Sequence, residues 1–403
     1  MRLSSTTIFE NGVNSMLARQ SELAKTQNQI STGRRVLTPS DDPVAASQAL
    51  DLTEAKGINK QYSDNAAAVT ARLALQETSL SAMTRLLQDV KTLTVQAGDG
   101  ALNASDLRSI AAEVDGRYKE LLGLANTTDG NGEYLFAGYR TQTQPFEETA
   151  PGVVVYLGDE GRREVAVSAS RSIALNDSGS EVLTRIKNGN TTFVSAATPG
   201  NSGTGIISPG SVTNSTAITG HDYSITFTVS AGVTTYSVTD TTSATTVVSN
   251  APYVPGGQIA FDGLQVEIDG APANADSYSV QPSANVSVFA TLDTLRTALR
   301  SAGTGAVENA NLTNSLNTVH SNLQNALDRV LAVTTSVGAR LRETETIVSS
   351  NQDLDLNYDT RLSELRDLDY ARALSDLSYQ QLQLEAAQKS FVLVAGLSLF
   401  GLL

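Results

Sequence analysis

The side chains able to do chemistry in this chain are few, and their spacing is poor. There are two histidines, His221 and His320, and no cysteine. Without cysteine there are no disulfides, no thiolate catalysis and no Cys-containing zinc sites. His221 stands beside Asp222 in a Thr- and Val-rich stretch, whereas His320 lies on a helical stripe, so a metal cluster using both is not expected. Serine is abundant but occupies no nucleophile motif, which leaves solvated and turn-forming roles. Asp41-Asp42 and Glu147-Glu148 supply paired carboxylates, yet neighbours on a helix or strand diverge, so capping and solvation are the expected roles. Asp129-Gly130-Asn131-Gly132-Glu133 has the opening of a calcium loop without the full ligand pattern and reads as a turn. Glycine-rich phosphate loops are absent. No catalytic residue, cofactor or metal ligand emerges, and an enzyme is not expected.

The bulk properties narrow the partners. The 403 residues suffice for two or three domains with their own cores. Lys and Arg number 28 against 42 for Asp and Glu, a net charge of −14 that repels nucleic acid and anionic membrane surfaces. The start, Met1-Arg2-Leu3-Ser4-Ser5-Thr6-Thr7, lacks the apolar core of a cleaved secretory signal, so any secretion uses another machine. Phe391 to Leu403 is apolar except for Ser398 and two glycines. As a helix it reaches only about 20 Å, short of a ~30 Å hydrocarbon core, so a buried helix end is expected rather than membrane insertion.

Composition divides the chain into helical flanks and a β-rich middle. Tyr62, Ala66, Val69, Leu73, Gln76, Leu80, Met83, Leu87, Val90, Thr94 and Ala97 recur in alternating steps of four and three, a heptad seam. A second seam runs through Leu316, His320, Leu323, Leu327, Val330, Thr334, Val337, Leu341, Thr344 and Val348. Leu107, Ile110, Val114, Leu121 and Leu124 mark a shorter helix that Asn103 or Ser105 caps. Narrow stripes on long helices bury most simply against one another, as a rod or an ordinary bundle.

Between the flanks, runs such as Tyr223-Ser224-Ile225-Thr226-Phe227-Thr228-Val229 alternate as half-buried strands do, with turns at Ala231-Gly232, Asp262-Gly263 and Asp269-Gly270. Val153 to Tyr156 and Glu164 to Val167 flank Gly158-Asp159-Glu160-Gly161 and read as one hairpin. Pro199 to Gly210 reads as an exposed loop. The expected fold is mainly α with an inserted β domain. The expected divisions are a terminal helical region (1–42 with 364–403), a helical rod (43–149 with 286–363) and a β-rich insertion (150–285).

The two ends mirror each other. Phe9, Val13, Met16, Gln20, Leu23, Gln27 and Ile30 form one stripe, and Tyr370, Leu374, Leu377, Gln381, Leu384, Gln388 and Phe391 form another of equal length. An antiparallel pair is expected, with Phe9 near Phe391 and Ile30 near Tyr370. The glutamines carry two readings: they weaken a lone coiled coil in favour of several neighbours, or they are good helix formers at partly exposed sites. The turn after the first stripe has its own local logic. Gly33 suits a helix C-terminus, Arg34 and Arg35 suit its negative end, Asp42 suits an N-cap and Pro43 the first helical position.

That turn, Ser31-Thr32-Gly33-Arg34-Arg35 followed by Asp41-Asp42-Pro43, resembles the bacterial flagellin family. Asp129-Gly130-Asn131-Gly132-Glu133-Tyr134-Leu135-Phe136-Ala137-Gly138-Tyr139, then Thr143-Gln144-Pro145-Phe146 and Gly158-Asp159-Glu160-Gly161-Arg162, look like its hook-associated members rather than filament subunits. Asp369-Tyr370-Ala371, Gln388-Lys389-Ser390-Phe391 and Leu397-Ser398-Leu399-Phe400 are similar to the same family, and the ending Gly401-Leu402-Leu403 lacks the basic close expected of a filament flagellin. Residues 190–285 match no motif.

The resemblance implies a flagellin-like rod formed by both chain ends, and a secreted structural subunit of the flagellum at the junction of hook and filament, outside the cell. It also implies type III export with a flagellar chaperone on the C-terminal region, and a homo-oligomeric ring with another hook-associated protein below and flagellin above. The terminal stripes become the expected assembly interface. Filament flagellin itself, or a secreted adhesin or hydrolase with a ligand-binding β domain, are the alternatives.

Overall fold

A computed structural model of the protein describes residues 5–400. The N-terminal flank holds α1 (Ser5–Thr32), α2 (Pro43–Ala97) and α3 (Ala104–Ala125). Short elements follow: β1 (Phe146–Ala150), β2 (Val153–Tyr156), β3 (Glu164–Ser168), β4 (Arg171–Ala174), α4 (Gly179–Leu183) and β5 (Ile186–Lys187). The β block proper has β6 (Phe193–Ala197), β7 (Ile206–Ile207), β8 (Ser211–Val212), β9 (Tyr223–Ser230), β10 (Val233–Asp240), β11 (Thr245–Pro252), β12 (Gln258–Phe261), β13 (Leu264–Asp269) and β14 (Ser277–Pro282). The chain returns through β15 (Asn285–Val286) to α5 (Val288–Ser301), α6 (Ala306–Arg366) and α7 (Tyr370–Phe400). The mainly helical fold with a central β-rich insertion is the one the sequence pattern implies. Residues form two compact units, one from residue 66 to 346 and one from the two ends outside it, with α2 and α6 contributing to both.

In the unit of residues 66–346 the heptad seam of α2 is buried without a break from Ala66 to Ala97, including Gln76 and Thr94. α6 buries Leu316, Leu323, Leu327, Val330 and Val337. On α3, Asn103 is the cap: its Oδ1 accepts the backbone N–H groups of Ser105 and Asp106, and Asp106 accepts that of Asn103 in return. α3 lies along α5, where Tyr118 meets Phe289 edge-on with ring centroids 5.9 Å apart.

Two local expectations fail. The stretches 153–156 and 164–167 do not pair with each other: β2 pairs back onto β1, and β3 pairs forward onto β4. Pro151-Gly152 makes the first turn, with Gly152 at φ 81°. The supposed hairpin loop is drawn off by side-chain bonds. Asp159 Oδ1 accepts the N–H groups of Tyr139 and Gly161 at 2.8 Å, and Tyr156 donates its hydroxyl to the Asp159 carbonyl at 2.7 Å. Pro199–Gly210 is not a free loop either. It contains β7, Ile207 is buried, and the N–H of Gly203 is donated to the Asp276 carboxylate at 2.9 Å.

The β block is two facing sheets, ordered β11-β10-β9-β14-β6 and β12-β13-β7, with β8 also on β13. Tyr223, Ile225 and Phe227 of β9 point into one apolar core with Val266 and Ile268 of β13 and Tyr278 and Val280 of β14, while Thr226 and Thr228 stay outside. Ala231-Gly232 and Asp262-Gly263 close two-residue hairpins with both residues at positive φ.

The block docks on α6 through amides. Asn314 donates to the Gly205 carbonyl at 3.0 Å and accepts the Ile207 N–H at 2.9 Å. Asn322 accepts the Gly189 N–H at 3.0 Å, and Asn325 donates to the carbonyls of Lys187 and Gly189 at 2.8 and 2.9 Å. The carboxamide suits this task because each carries both a donor and an acceptor for backbone that no strand satisfies. Replacing Asn314 with Ala strands a buried N–H and a carbonyl, an expected loss of about 1–3 kcal/mol, measured as a lower urea midpoint of the β-block transition.

Candidate assembly surface

The second unit brings the chain ends together through two paired connectors. The Leu368 N–H is donated to the Gly33 carbonyl at 3.0 Å and the Arg35 N–H to the Arg366 carbonyl at 2.7 Å, around an antiparallel bridge between Arg34 and Asp367. Arg35 also donates its guanidinium to the Leu365 carbonyl at 2.9 Å. Gly33, just past α1, takes φ 69°, a conformation open to glycine, and a Cβ there would stand 2.9 Å from the Tyr370 hydroxyl.

The turn that follows is organised by carboxylates. Asp41 Oδ2 accepts the N–H groups of Leu37 and Thr38, and its other oxygen pairs with Lys25 of α1 at 2.7 Å. Asp42 caps α2 by accepting the Ala45 N–H at 3.0 Å, pairs with Arg35 at 3.1 Å, and is followed by Pro43 as the first helical residue. The Lys25 ammonium, with the Thr38 N–H, holds Asp41 well below the usual carboxylate range; the Ala45 N–H and then Arg35 lower Asp42.

With the connectors paired, α1 and α7 run antiparallel. The rings of Phe9 and Phe391 lie 5.1 Å apart, Arg19 donates to Gln383 at 2.8 Å, and Tyr370 lies by Gly33 at the other end. The covered seam differs from the expected stripes. On α7 the less exposed positions include Ala373, Leu377, Gln380, Gln383, Leu384, Ala387 and Phe391; on α1 they include Gly12, Val13, Met16, Leu23, Thr26 and Ile30. Gln20, Gln27, Tyr370, Leu374, Gln381 and Gln388 are exposed.

The register is the expected one, and the helices approach through small residues. A Cβ on Gly12 would sit 2.7 Å from the Phe391 ring, so only a hydrogen fits there. The spacing by fourteen of small residues, Gly12 to Thr26 and Ala373 to Ala387, was the available signal. The seam is thin. The amide oxygen of Gln380 is buried without a hydrogen-bond partner, a cost of about 1–3 kcal/mol set against modest apolar burial.

What pairing leaves uncovered is a second apolar set. Phe9, Leu17, Leu374, Tyr379, Leu382, Val392 and Leu393 are each more than half exposed. Val392 and Leu393 therefore do not form the buried helix end expected within this chain; the side chains of 394–400, and Gly401-Leu402-Leu403 with Met1 to Ser4 altogether, lie outside what is described. In the same unit, Val44, Leu50 and Ile58 of α2 and Leu354 and Leu356 of α6 are exposed, and Leu356 lines an open groove of about 890 Å³ with Leu52 and Leu365. Lys56 of α2 bridges Asp355 and Asp359 of α6, and Asn59 donates to the Asn351 carbonyl at 2.8 Å.

The candidate chemical residues are absorbed by structure. His221 Nδ1 and Asp240 Oδ2 are 2.6 Å apart, and Asp240 also takes the Thr242 and Ser243 N–H groups of the β10–β11 turn. Burial, and then the charge of Lys91, pushes His320 below the ordinary imidazole value. In the 129–133 turn Arg72, itself buried on α2, donates to Asp129 at 2.6 Å and Glu133 at 3.0 Å, filling the place a cation would take. Among the described residues no cluster of three metal-ligating side chains occurs, and no helix is long and apolar enough to cross a membrane.

Paired terminal helices with an uncovered apolar stripe, long heptad helices and an inserted β block together define a flagellin-type structural protein. Residues 5–141 match the bacterial flagellin N-terminal helical region, and residues 196–282, where no motif was legible, match the D2-like domain of flagellar hook-associated protein 1. The chain is 28% identical to flagellar hook-associated protein 3 of Escherichia coli K12, covering all of this chain and 99% of that one. It superposes on the crystal structure of flagellar hook-associated protein 3 from Legionella pneumophila with a TM-score of 0.75 and 31% identity, over 78% of this chain and 98% of that one. Likeness to a Serratia marcescens flagellin, at 34% identity, reaches only 30% of this chain. The chain belongs to the flagellar hook-associated protein 3 family and is a structural subunit of the hook–filament junction.

Two outcomes follow from this geometry. Gly12→Ala should displace Phe391 from α1, seen as loss of the Phe9–Phe391 contact by NMR. The carboxylates of Asp41 and Asp42 are depressed in the folded state, so the stability they lend is present above about pH 4 and lost as pH falls below it. The Leu37 and Thr38 amides should therefore exchange faster with water in acid, relative to other amides, and Asp41→Asn should remove most of that dependence.

Proposed function

We propose that this chain assembles as a homo-oligomeric ring at the distal end of the hook, with another hook-associated protein below and flagellin above, and that it works through interface geometry rather than a reaction. The observation that carries this is the second apolar set on α1 and α7, left in water once the two helices have paired. Neighbouring subunits supply its cover. The terminal region (residues 1–42 with 364–403) is the assembly interface, residues 43–149 with 286–363 the supporting helical region, and residues 150–285 the outward insertion. The stripe positions Phe9, Val13, Met16, Gln20, Leu23, Gln27 and Ile30, with Tyr370, Leu374, Leu377, Gln381, Leu384, Gln388 and Phe391, divide the work. Those in the seam hold the pair, and the exposed ones meet neighbours. The turn Gly33, Arg34, Arg35, Asp41, Asp42 and Pro43 sets the angle at which both ends leave.

The same energetics supports coupled folding. Ordering the backbone costs about 1–2 kcal/mol per residue, and a thin seam with a stranded Gln380 oxygen offsets little of it. The terminal segments then cross an export channel unfolded, with a chaperone on the C-terminal region, and the protein reaches the flagellum outside the cell.

A strain lacking the gene should carry hooks without filaments and release flagellin into the medium. Immunogold on wild-type cells should label one band at the hook's end, and label along the whole filament would overturn the junction reading. Leu382→Asp, on the uncovered stripe, should abolish rescue while leaving the helical content of the monomer unchanged. In dilute monomer, amides of residues 9–30 and 370–391 should exchange faster than those of residues 66–97; equal protection would refute coupled ordering.

A further inference from the structure

Three Asn–Gly steps occur in the chain, Asn11-Gly12, Asn131-Gly132 and Asn188-Gly189. Such a step is labile because the glycine amide nitrogen, with no side chain beside it, can attack the asparagine Cγ. The structure puts the three in different surroundings. At Asn188 both reacting groups are held: the Gly189 N–H is donated to buried Asn322, and Asn188 Oδ1 accepts the Ala284 N–H at 2.9 Å and the Ser283 hydroxyl at 3.1 Å. At Asn11 the backbone is α-helical, which keeps each nitrogen away from the preceding Cγ, and Gly12 packs on Phe391.

Asn131 is different. It sits exposed at the tip of the loop that the Thr128–Tyr134 bridge closes, and a Cβ on Gly132 would meet nothing within 4 Å. Its own N–H is tied to Asp129 Oδ1 at 2.9 Å, and the Gly132 N–H is donated to the Asp129 carbonyl at 3.1 Å. That last bond lies in an exposed turn, where water can replace it.

We propose that Asn131 is a deamidation site of the folded protein, while Asn188 is shielded by α6. The bond between Gly132 N and Asn131 Cγ forms and the bond from Cγ to Nδ2 breaks; the proton from Gly132 leaves with Nδ2 as ammonia. Water then opens the five-membered imide at either carbonyl, returning the N–H and giving aspartate or isoaspartate. No oxidant or reductant is needed. The new carboxylate joins Asp129 and Glu133, which already hold Arg72, and Glu133 also takes Arg163. The isoaspartyl form adds one carbon to the loop backbone that presents these acids, so the loop's grip on α2 weakens with age.

The test is incubation of the full chain at mildly alkaline pH, with peptide mass spectrometry at each site over time and isoaspartyl methyltransferase labelling. Asn131 should convert at least about tenfold faster than Asn188 in the folded protein, because opening the buried bonds at Gly189 costs more than about 1.4 kcal/mol. In urea the two rates should converge. Asn322→Ala frees the Gly189 nitrogen and should raise the Asn188 rate without changing that of Asn131. Equal rates in the folded protein, Asn188 converting first, or no response of Asn188 to Asn322→Ala would each overturn the assignment. Conversion at Asn11 follows the order of α1 and is read separately, so failure here and failure of the assembly reading remain distinguishable.

Discussion

The Leu368 N–H on the Gly33 carbonyl and the Arg35 N–H on the Arg366 carbonyl join two short connectors that are more than three hundred residues apart in the chain. Everything at the chain ends depends on them. Each connector follows a helix whose last carbonyls need partners, and pairing satisfies backbone from both at once. Lys25, Arg35, Asp41 and Asp42 then fix the path from α1 into α2, so the direction of the terminal pair is set by backbone and short-range charge before any apolar contact between α1 and α7 is counted. A weak helix pair can therefore have a defined starting point.

Weakness in that pair has a structural use. The approach through Gly12, Thr26, Ala373 and Ala387 keeps the two backbones close while burying little, and it turns Leu374, Tyr379 and Leu382 toward solvent. A pair with large residues along its seam would fold alone and offer its neighbours only a polar back. Small seam residues divide the apolar material of one helix between two faces, one against the other terminal helix and one toward solvent.

Legibility in the sequence followed the strength of the period. The α2 seam was readable residue by residue because a long helix packed within its own chain keeps one phase, and each seam position from Ala66 to Ala97 is buried. The terminal stripes were readable as helices and in register, but half of their positions stay exposed, since apolar residues lie on two faces and a heptad count cannot choose between them. The Gly33–Pro43 turn was readable from Gly33, Asp42 and Pro43, whose conformational demands are local. The β2–β3 hairpin was misread because its decision lay with Asp159 and Tyr156 side chains, whose bonds no alternation reports, and with the Pro151-Gly152 turn. Asn314, Asn322 and Asn325 carry no signal in the sequence, because their partners are backbone groups of segments more than a hundred residues away.

The β block shows the opposite economy of charge from the chain ends. Between Lys187 and Arg296 there is no lysine or arginine at all. Its acids are therefore held by backbone N–H groups, a tyrosine and one histidine: Asp276 takes the N–H groups of Ser202, Gly203 and Ala273, Asp262 the Tyr223 hydroxyl, and Asp240 the His221 ring. Such bonds are short-ranged and buried in turns, so they do not compete for distant counter-charges, and an unpaired guanidinium never has to be desolvated. The terminal turn uses ion pairs that salt and acid can loosen. The β block thus rests on short-range bonds to its own backbone, whereas the turn between the chain ends rests on ion pairs.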